Sequence, residues 1–276
     1  MSQRESNAQT FVVATVLCVV CSLFVSGAAV ALKEGQAANA LLDQQKNILD
    51  AAGLAKGQYG VTASGLTTDQ IKDLFKQVTP YIVDLDTGEF VTDVNGLDVD
   101  DYDPREAVNS PDLREDIVNP EFNPGEKFRE RYAKVYVVSD AKTKEFQQIV
   151  LPVYGKGLWS TLYGYLALKK DLNTIQGLTF YKHGETPGLG GEVDNPSWKL
   201  QWEGKTLYNP EGVPAAGLAK GTAPLGNKYE VDGLTGATIT SRGVTNLIRY
   251  WASDDAYKVF LTHFKEHGID TPKAGS

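Results

Sequence analysis

The chain has 276 residues, 22% of them charged, and a formal net charge of −8. That acidity argues against a nucleic-acid partner, which needs a basic face to displace counterions from phosphates. The two cysteines, Cys18 and Cys21, both lie in an N-terminal apolar run, so the rest of the chain can form no disulfide, thiolate zinc site or cysteine-ligated iron–sulfur cluster.

Phe11 to Leu32 is a run of 22 residues without a charge. As a helix it measures about 33 Å, enough to cross a bilayer core of ~30 Å. A secretory signal has an apolar core of only ~7–15 residues, so the run reads as an uncleaved anchor. Arg4 and the α-amino group against Glu5 lean toward an N-terminus inside and the remainder outside. Cys18 and Cys21 share one helix face at i, i+3 and read as small apolar packing residues. The small residues Ser26 to Ala29 suit a contact with another membrane helix.

Beyond the anchor, Leu41, Leu42, Ile48 and Leu49 have helical spacing, with Gly53 as a stop, and predict a juxtamembrane helix over Gln36–Gly53. Thr67 and Thr68 cap a helix predicted over Asp69–Gln77. Tyr81–Val83 and Phe90–Val91 flank Asp86-Thr87-Gly88 and predict a hairpin. Asn95 to Arg131 is acidic and rich in Pro and Asn, and reads as a long ordered loop or insertion. Its Asp98, Asp100, Asp101 and Asp103 fail the calcium-loop template, because the sixth position needs Gly and holds Asp103.

Ala133–Ser139, Phe146–Val153 and Thr174–Lys182 are rich in β-branched and aromatic residues and read as strands. Between the last two lie the Gly155–Ser160 loop and an apolar stretch, Leu162 to Leu168. A Gly- and Pro-rich loop, His183 to Gly191, follows. Pro196 opens a short helix, Ser197–Trp202, and two helices over Val244–Ala252 and Ala256–His267 end the chain. His263 and His267 stand at i, i+4 without a third ligand motif, and suit the helix dipole better than a metal. The chain carries no Gly-x-Gly-x-x-Gly after a strand, no P-loop and no nucleophile–base pair, so it reads as having no catalytic residues and no nucleotide site of those kinds. The fold class predicted is α+β: one transmembrane helix at 11–32 behind a tail at 1–10, a helical neck at 33–60, and a mixed domain at 61–276 with an antiparallel sheet and flanking helices.

The densest motif is Asp232-Gly233-Leu234-Thr235-Gly236-Ala237-Thr238, continuing Ile239-Thr240-Ser241. Gly233 and Gly236 allow close approach and positive φ. Several hydroxyls sit beside a helix expected to begin around Ser241, where free N–H groups can receive an anion such as a phosphate. By spacing alone this is also a polar loop capping a helix.

The segment resembles the flavinylation motif Asp-Gly-x-Ser/Thr-Gly-Ala-Thr, and all its specified positions match. The chain as a whole resembles the C-subunit family of the bacterial sodium-translocating NADH:quinone reductases. The resemblance implies FMN bonded to Thr238 through its phosphate, with Asp232, Thr235, Gly236 and Ala237 around it. It also implies that the loop Glu185-Thr186-Pro187-Gly188-Leu189-Gly190 touches the isoalloxazine through Glu185, Thr186, Gly188 and Leu189. Trp159 either stacks near the ring or fills the core. Asp232 serves recognition by the flavin transferase or braces the turn as an Asx residue, and His183 tunes the flavin or makes a structural hydrogen bond. The implied function is electron relay from a membrane redox centre to another flavin, within an enzyme that oxidises NADH, reduces quinone and pumps Na⁺. The implied partners are the other subunits, the flavin transferase and the lipid bilayer, with a cytoplasmic tail and the FMN-binding domain on the periplasmic side of the inner membrane. The alternatives are the G-subunit of the related ferredoxin:NAD electron-transport complex and a membrane-anchored flavin module with no redox role.

Overall fold

A computed structural model of the protein describes residues 7–118 and 120–269. The chain divides into two units, Met1–Gln44 and Gln45–Ser276. In the first, helix α1 (Asn7–Ala51) begins, and its apolar run is exposed on all sides, as a helix facing lipid would be. It is long and apolar enough to cross a membrane. The sequence predicted two helices here, an anchor ending at Leu32 and a neck starting at Gln36. One unbroken helix is found. Only Gly35 interrupts the good helix formers Lys33, Glu34, Gln36 and Ala37, and one glycine costs about 1 kcal/mol, too little to break a long helix.

The second unit is built on a six-stranded antiparallel sheet. After α2 (Leu54–Tyr59) and α3 (Thr68–Phe75) come β1 (Val78–Asp84) and β2 (Phe90–Val91). The α3 start is a full capping box, with the Thr67 side chain on the Gln70 N–H and the Gln70 side chain returning to the Thr67 N–H. β1 and β2 form the predicted hairpin, pairing Ile82 with Val91 and Val83 with Phe90. The acidic segment is more structured than a loop. After β3 (Asp93–Val94), it carries β4 (Leu97–Asp98), α4 (Pro104–Ala107), β5 (Arg114–Asp116) and β6 (Phe128–Glu130). Its aspartates organise that backbone: Asp98 accepts the N–H groups of Asp100 and Asp101, and Asp103 caps α4 through the Arg105 N–H.

Then follow β7 (Tyr132–Ser139), β8 (Phe146–Lys156), β9 (Thr161–Lys169) and β10 (Ile175–Lys182). The sheet order is β10-β9-β8-β7-β1-β2. The apolar stretch left without a predicted element is β9, the partner of both β8 and β10. Five consecutive buried residues, Gly164 to Leu168, erase the alternation that marks a half-exposed strand. Helix α5 (Pro196–Leu200), the short parallel pair β11 (Gly217–Leu218) and β12 (Glu230–Val231), α6 (Thr238–Trp251) and α7 (Tyr257–His267) complete the unit.

Among the described residues, two hydrophobic clusters pack on the sheet. The larger joins Val135, Val137, Ile149, Leu151, Leu166 and Phe180 of the strands to Trp202, Leu247, Trp251, Phe260 and Phe264. The smaller joins Ile82, Val91, Val94 and Tyr132 to Tyr102 and Ala107 of the acidic segment, where the Tyr102 hydroxyl donates to the Tyr132 carbonyl at 2.8 Å. Helix α6 forms because Thr240, Val244, Leu247, Ile248 and Trp251 recur at three- and four-residue spacing and are all buried.

Candidate functional site

The motif starts where β12 ends. Asp232 is held by both ends: its carboxylate accepts the Ala223 N–H at 2.8 Å and the Gln201 side-chain amide at 3.1 Å, its N–H donates to Gln201 Oε1, and its carbonyl accepts Trp198 Nε1–H. It thus braces the 221–232 loop against α5, whereas an Asx turn would have closed on its own neighbours. Gly233 lies so close to the Ala219 carbonyl that a Cβ would overlap it, and its N–H donates to Gly221 O at 2.7 Å. Gly236 takes a φ of 73°, a left-handed conformation that ends the turn.

Helix α6 then begins at Thr238, earlier than the expected start around Ser241. The hydroxyl residues read as preceding the helix form its first turn. The N-cap is Ala237, which has no side-chain donor or acceptor, and no side chain caps this helix end. The N-cap position therefore supplies none of the Ser/Thr/Asp oxygen that usually satisfies a first-turn N–H group.

Environment sets Thr240 apart from the other two candidate threonines. Thr235 and Thr238 are exposed, and Thr240 is buried, with its hydroxyl donating to Glu185 at 2.6 Å. Ser241 Oγ accepts the Leu234 N–H at 3.0 Å and ties the turn to the helix. Thr235, Gly236, Thr238 and Ser241 line one open cleft of about 490 Å³, with Lys220 and Arg242, both exposed, on its wall. That volume lies in the ~300–1,000 Å³ range of small-molecule sites. The two cations were not foreseen; Arg242, four residues after Thr238 on a helix, was the signal available.

The Gly-rich loop abuts the motif without lining that cleft. Leu189 Cδ2 lies 3.0 Å from where a Gly236 Cβ would be. Thr186 and Gly188 are exposed, and the Thr186 carbonyl accepts the Leu189 and Gly191 N–H groups. Trp159 is 69% exposed, so it fills no core. Leu158, Leu189 and Ile239 are also exposed large apolar side chains. The Glu185 carboxyl is buried, which pushes its pKa up. Hydrogen bonds from Thr240 and from the N–H groups of Trp159, Leu158 and Ser160 outweigh that, and hold it below the usual carboxylate range. His183 Nε2 lies 2.8 Å from Asp194, a structural pairing. On α7, His267 Nδ1 lies 3.0 Å from the His263 carbonyl.

The residues fit a flavin phosphate. An exposed hydroxyl, an uncapped helix start and two cations meet in one cleft, and uncovered apolar side chains stand on the neighbouring loops.

The FMN-binding domain model matches residues 157–253, a span that runs from the Trp159 loop through α6. The chain is 47% identical to the Na(+)-translocating NADH-quinone reductase C-subunit of Pseudomonas aeruginosa, over 96% of this chain and 99% of that one. It is 41% identical to the protein of the same name from Vibrio alginolyticus, over 96% and 98%. Among solved structures, NqrC of Shewanella oneidensis superposes with a TM-score of 0.71 at 35% identity, covering 81% of this chain and 96% of that one. With its cofactor motif, anchor-like helix and antiparallel sheet, the chain belongs to the C-subunit family of the Na(+)-translocating NADH-quinone reductases.

Proposed function

We propose that the protein is the electron-relay subunit of such a complex and that its FMN is joined through the phosphate to the Thr238 hydroxyl. The observation that carries the reading is the place of Thr238: it is exposed as the first residue of α6, whereas the Thr240 hydroxyl is buried and already given to Glu185, and Thr235, also exposed, stands in the turn before the helix.

FMN supplies the one-electron chemistry between partner redox centres. The chain's own groups hold it. A phosphodiester keeps one negative charge, which the α6 N-terminus favours by roughly 0.3–1 kcal/mol. Arg242 and Lys220 stand on the same cleft wall to meet that charge. Thr186, Gly188 and Leu189 on one loop and Trp159 on another, all exposed, are the groups that would hold the ring. Asp232 keeps Gly233 and Gly236 in the turn that presents Thr238 to a flavin transferase. A covalent tether suits a domain on the periplasmic side, where lost FMN is not readily replaced. The run Phe11–Leu32 crosses the lipid bilayer once and leaves the N-terminal tail in the cytoplasm.

Fragment-ion mass analysis of the tryptic peptide Tyr229–Arg242 tests the assignment. The peptide is expected to gain one FMN less one water, localised to Thr238. Localisation to Thr235 or Thr240 would overturn it.

A further inference from the structure

Four donors converge on the Glu185 carboxylate. The Trp159 N–H at 3.0 Å and the Ser160 N–H at 3.2 Å reach Oε1, while the Leu158 N–H at 3.3 Å and the Thr240 hydroxyl at 2.6 Å reach Oε2. A carboxylate offers about four lone-pair sites, so the protein itself fills them. Two glycines make the space. A Cβ on Gly157 would sit 2.5 Å from Oε1, and one on Gly190 would sit 2.7 Å from Oε2. The loop is tied a second time, because the Gly184 N–H donates to Ser160 Oγ at 2.6 Å. The Glu185 N–H donates to His183 Nδ1 at 3.2 Å, which places the ring proton on Nε2, facing Asp194.

The result is a pinned backbone under an uncovered indole. Trp159 is mostly exposed, yet its N–H is held by a buried charge that also grips the first turn of α6. The second side of the junction is tight too: a Gly243 Cβ would meet the Lys156 carbonyl and lie 3.3 Å from Gly157 Cα. An exposed tryptophan on a fixed loop is a preformed contact surface, since the ordering cost has been met before anything binds.

We infer that Glu185 is a positioning residue: its carboxylate fastens the Leu158–Ser160 loop to α6 and so sets Trp159 against the flavin, without touching the ring itself. The inference rests on the reading that Thr238 carries the flavin. It assigns Glu185 a different part from the direct ring contact that the family resemblance implies.

The test is a double-mutant cycle on the purified full chain, read by the flavin midpoint potential. Trp159→Phe is expected to shift the potential, and E185Q to shift it in the same direction. The double variant is expected to match Trp159→Phe alone. Additive shifts, no shift in E185Q, or no shift in Trp159→Phe would each overturn the inference. Hydrogen exchange supplies a readout independent of the flavin. In the flavin-free Thr238→Ala background, E185Q is expected to speed exchange at Leu158, Trp159 and Ser160 by about tenfold. Unchanged protection there would overturn the link between Glu185 and the loop. If the mass analysis finds no flavin on Thr238, the exchange experiment still tests that link separately. Should E185Q fail to fold, Thr240→Val removes one of the four donors and is carried through the same cycle.

Discussion

Glu130 and Glu185 are both buried carboxylates on the same six-stranded unit, and their pKa values move in opposite directions. Burial pushes Glu130 up to about 7, against the Tyr154 hydroxyl at 2.7 Å and the nearby Arg129 guanidinium. Burial also pushes Glu185 up, but four convergent donors reverse it. Glu130 is the more deeply enclosed of the two and accepts from the Tyr154 hydroxyl, whereas Glu185 gathers four donors, so shallower burial and more donors act together to keep Glu185 charged. The two regions differ in the same sense. Around Glu130 the acidic segment is sealed: Arg129 donates to the Glu130 carbonyl and to Asp86, and Arg131 to Asp84. Around Glu185 large apolar side chains stand uncovered and a helix start has no cap. One region is closed on itself, and the other is the one to which the proposal assigns the flavin.

Two tryptophans give the sharpest contrast. Trp202 is fully buried in the main core and Trp159 is not. Trp202→Ala is expected to cost about 3–5 kcal/mol in thermal or urea unfolding. A cost near zero would mean the core is drawn wrongly.

The next effect is a pH dependence. The folded Glu130 carboxyl titrates at about 7, above its ordinary value of 4.5. The unfolded chain therefore releases this proton first, and stability falls as pH rises from about 4.5 to 7. The loss is at most roughly 3 kcal/mol, from 1.36 kcal/mol per unit. Glu130→Gln should flatten the unfolding profile across that window; an unchanged slope would remove Glu130 from the account. Glu185 has the opposite sign. Its depressed pKa gives stability above the unfolded value that is lost as pH falls through the folded one, so E185Q should flatten only the acid limb.

The smallest stability effect is expected at Trp159. Trp159→Ala should change unfolding by no more than about 0.5 kcal/mol, as surface substitutions do, while altering the flavin absorption spectrum. A large loss of stability would make Trp159 a structural residue.

Much of this was legible in the sequence. The Asp86-Thr87-Gly88 hairpin, the Thr67 cap and the amphipathic stripe of α6 follow from local spacing, and each is found. Strand β9 was hidden because burial on both faces removes alternation. The α6 start was misplaced because Thr240 and Ser241 look like caps, whereas their side chains serve Glu185 and the Leu234 N–H. The motif and the Gly-rich loop were visible as segments. The resemblance brings them together around a flavin, but the direct contacts of Glu185 are not legible, since it meets Thr240 across 55 positions and the loop N–H groups across 25 to 27. Backbone donors leave no mark in a sequence. The same holds for Asp232, whose partners lie on Gln201 and Ala223.

The central claim is that Thr238, and no neighbouring hydroxyl, bears the flavin. It is tested most directly by in-gel flavin fluorescence of denatured protein from cells that carry the flavin transferase. Wild type and Thr240→Val should fluoresce, and Thr238→Ala should be dark while still folding to a protein of wild-type far-UV circular dichroism. Covalent flavin retained in Thr238→Ala would contradict the account.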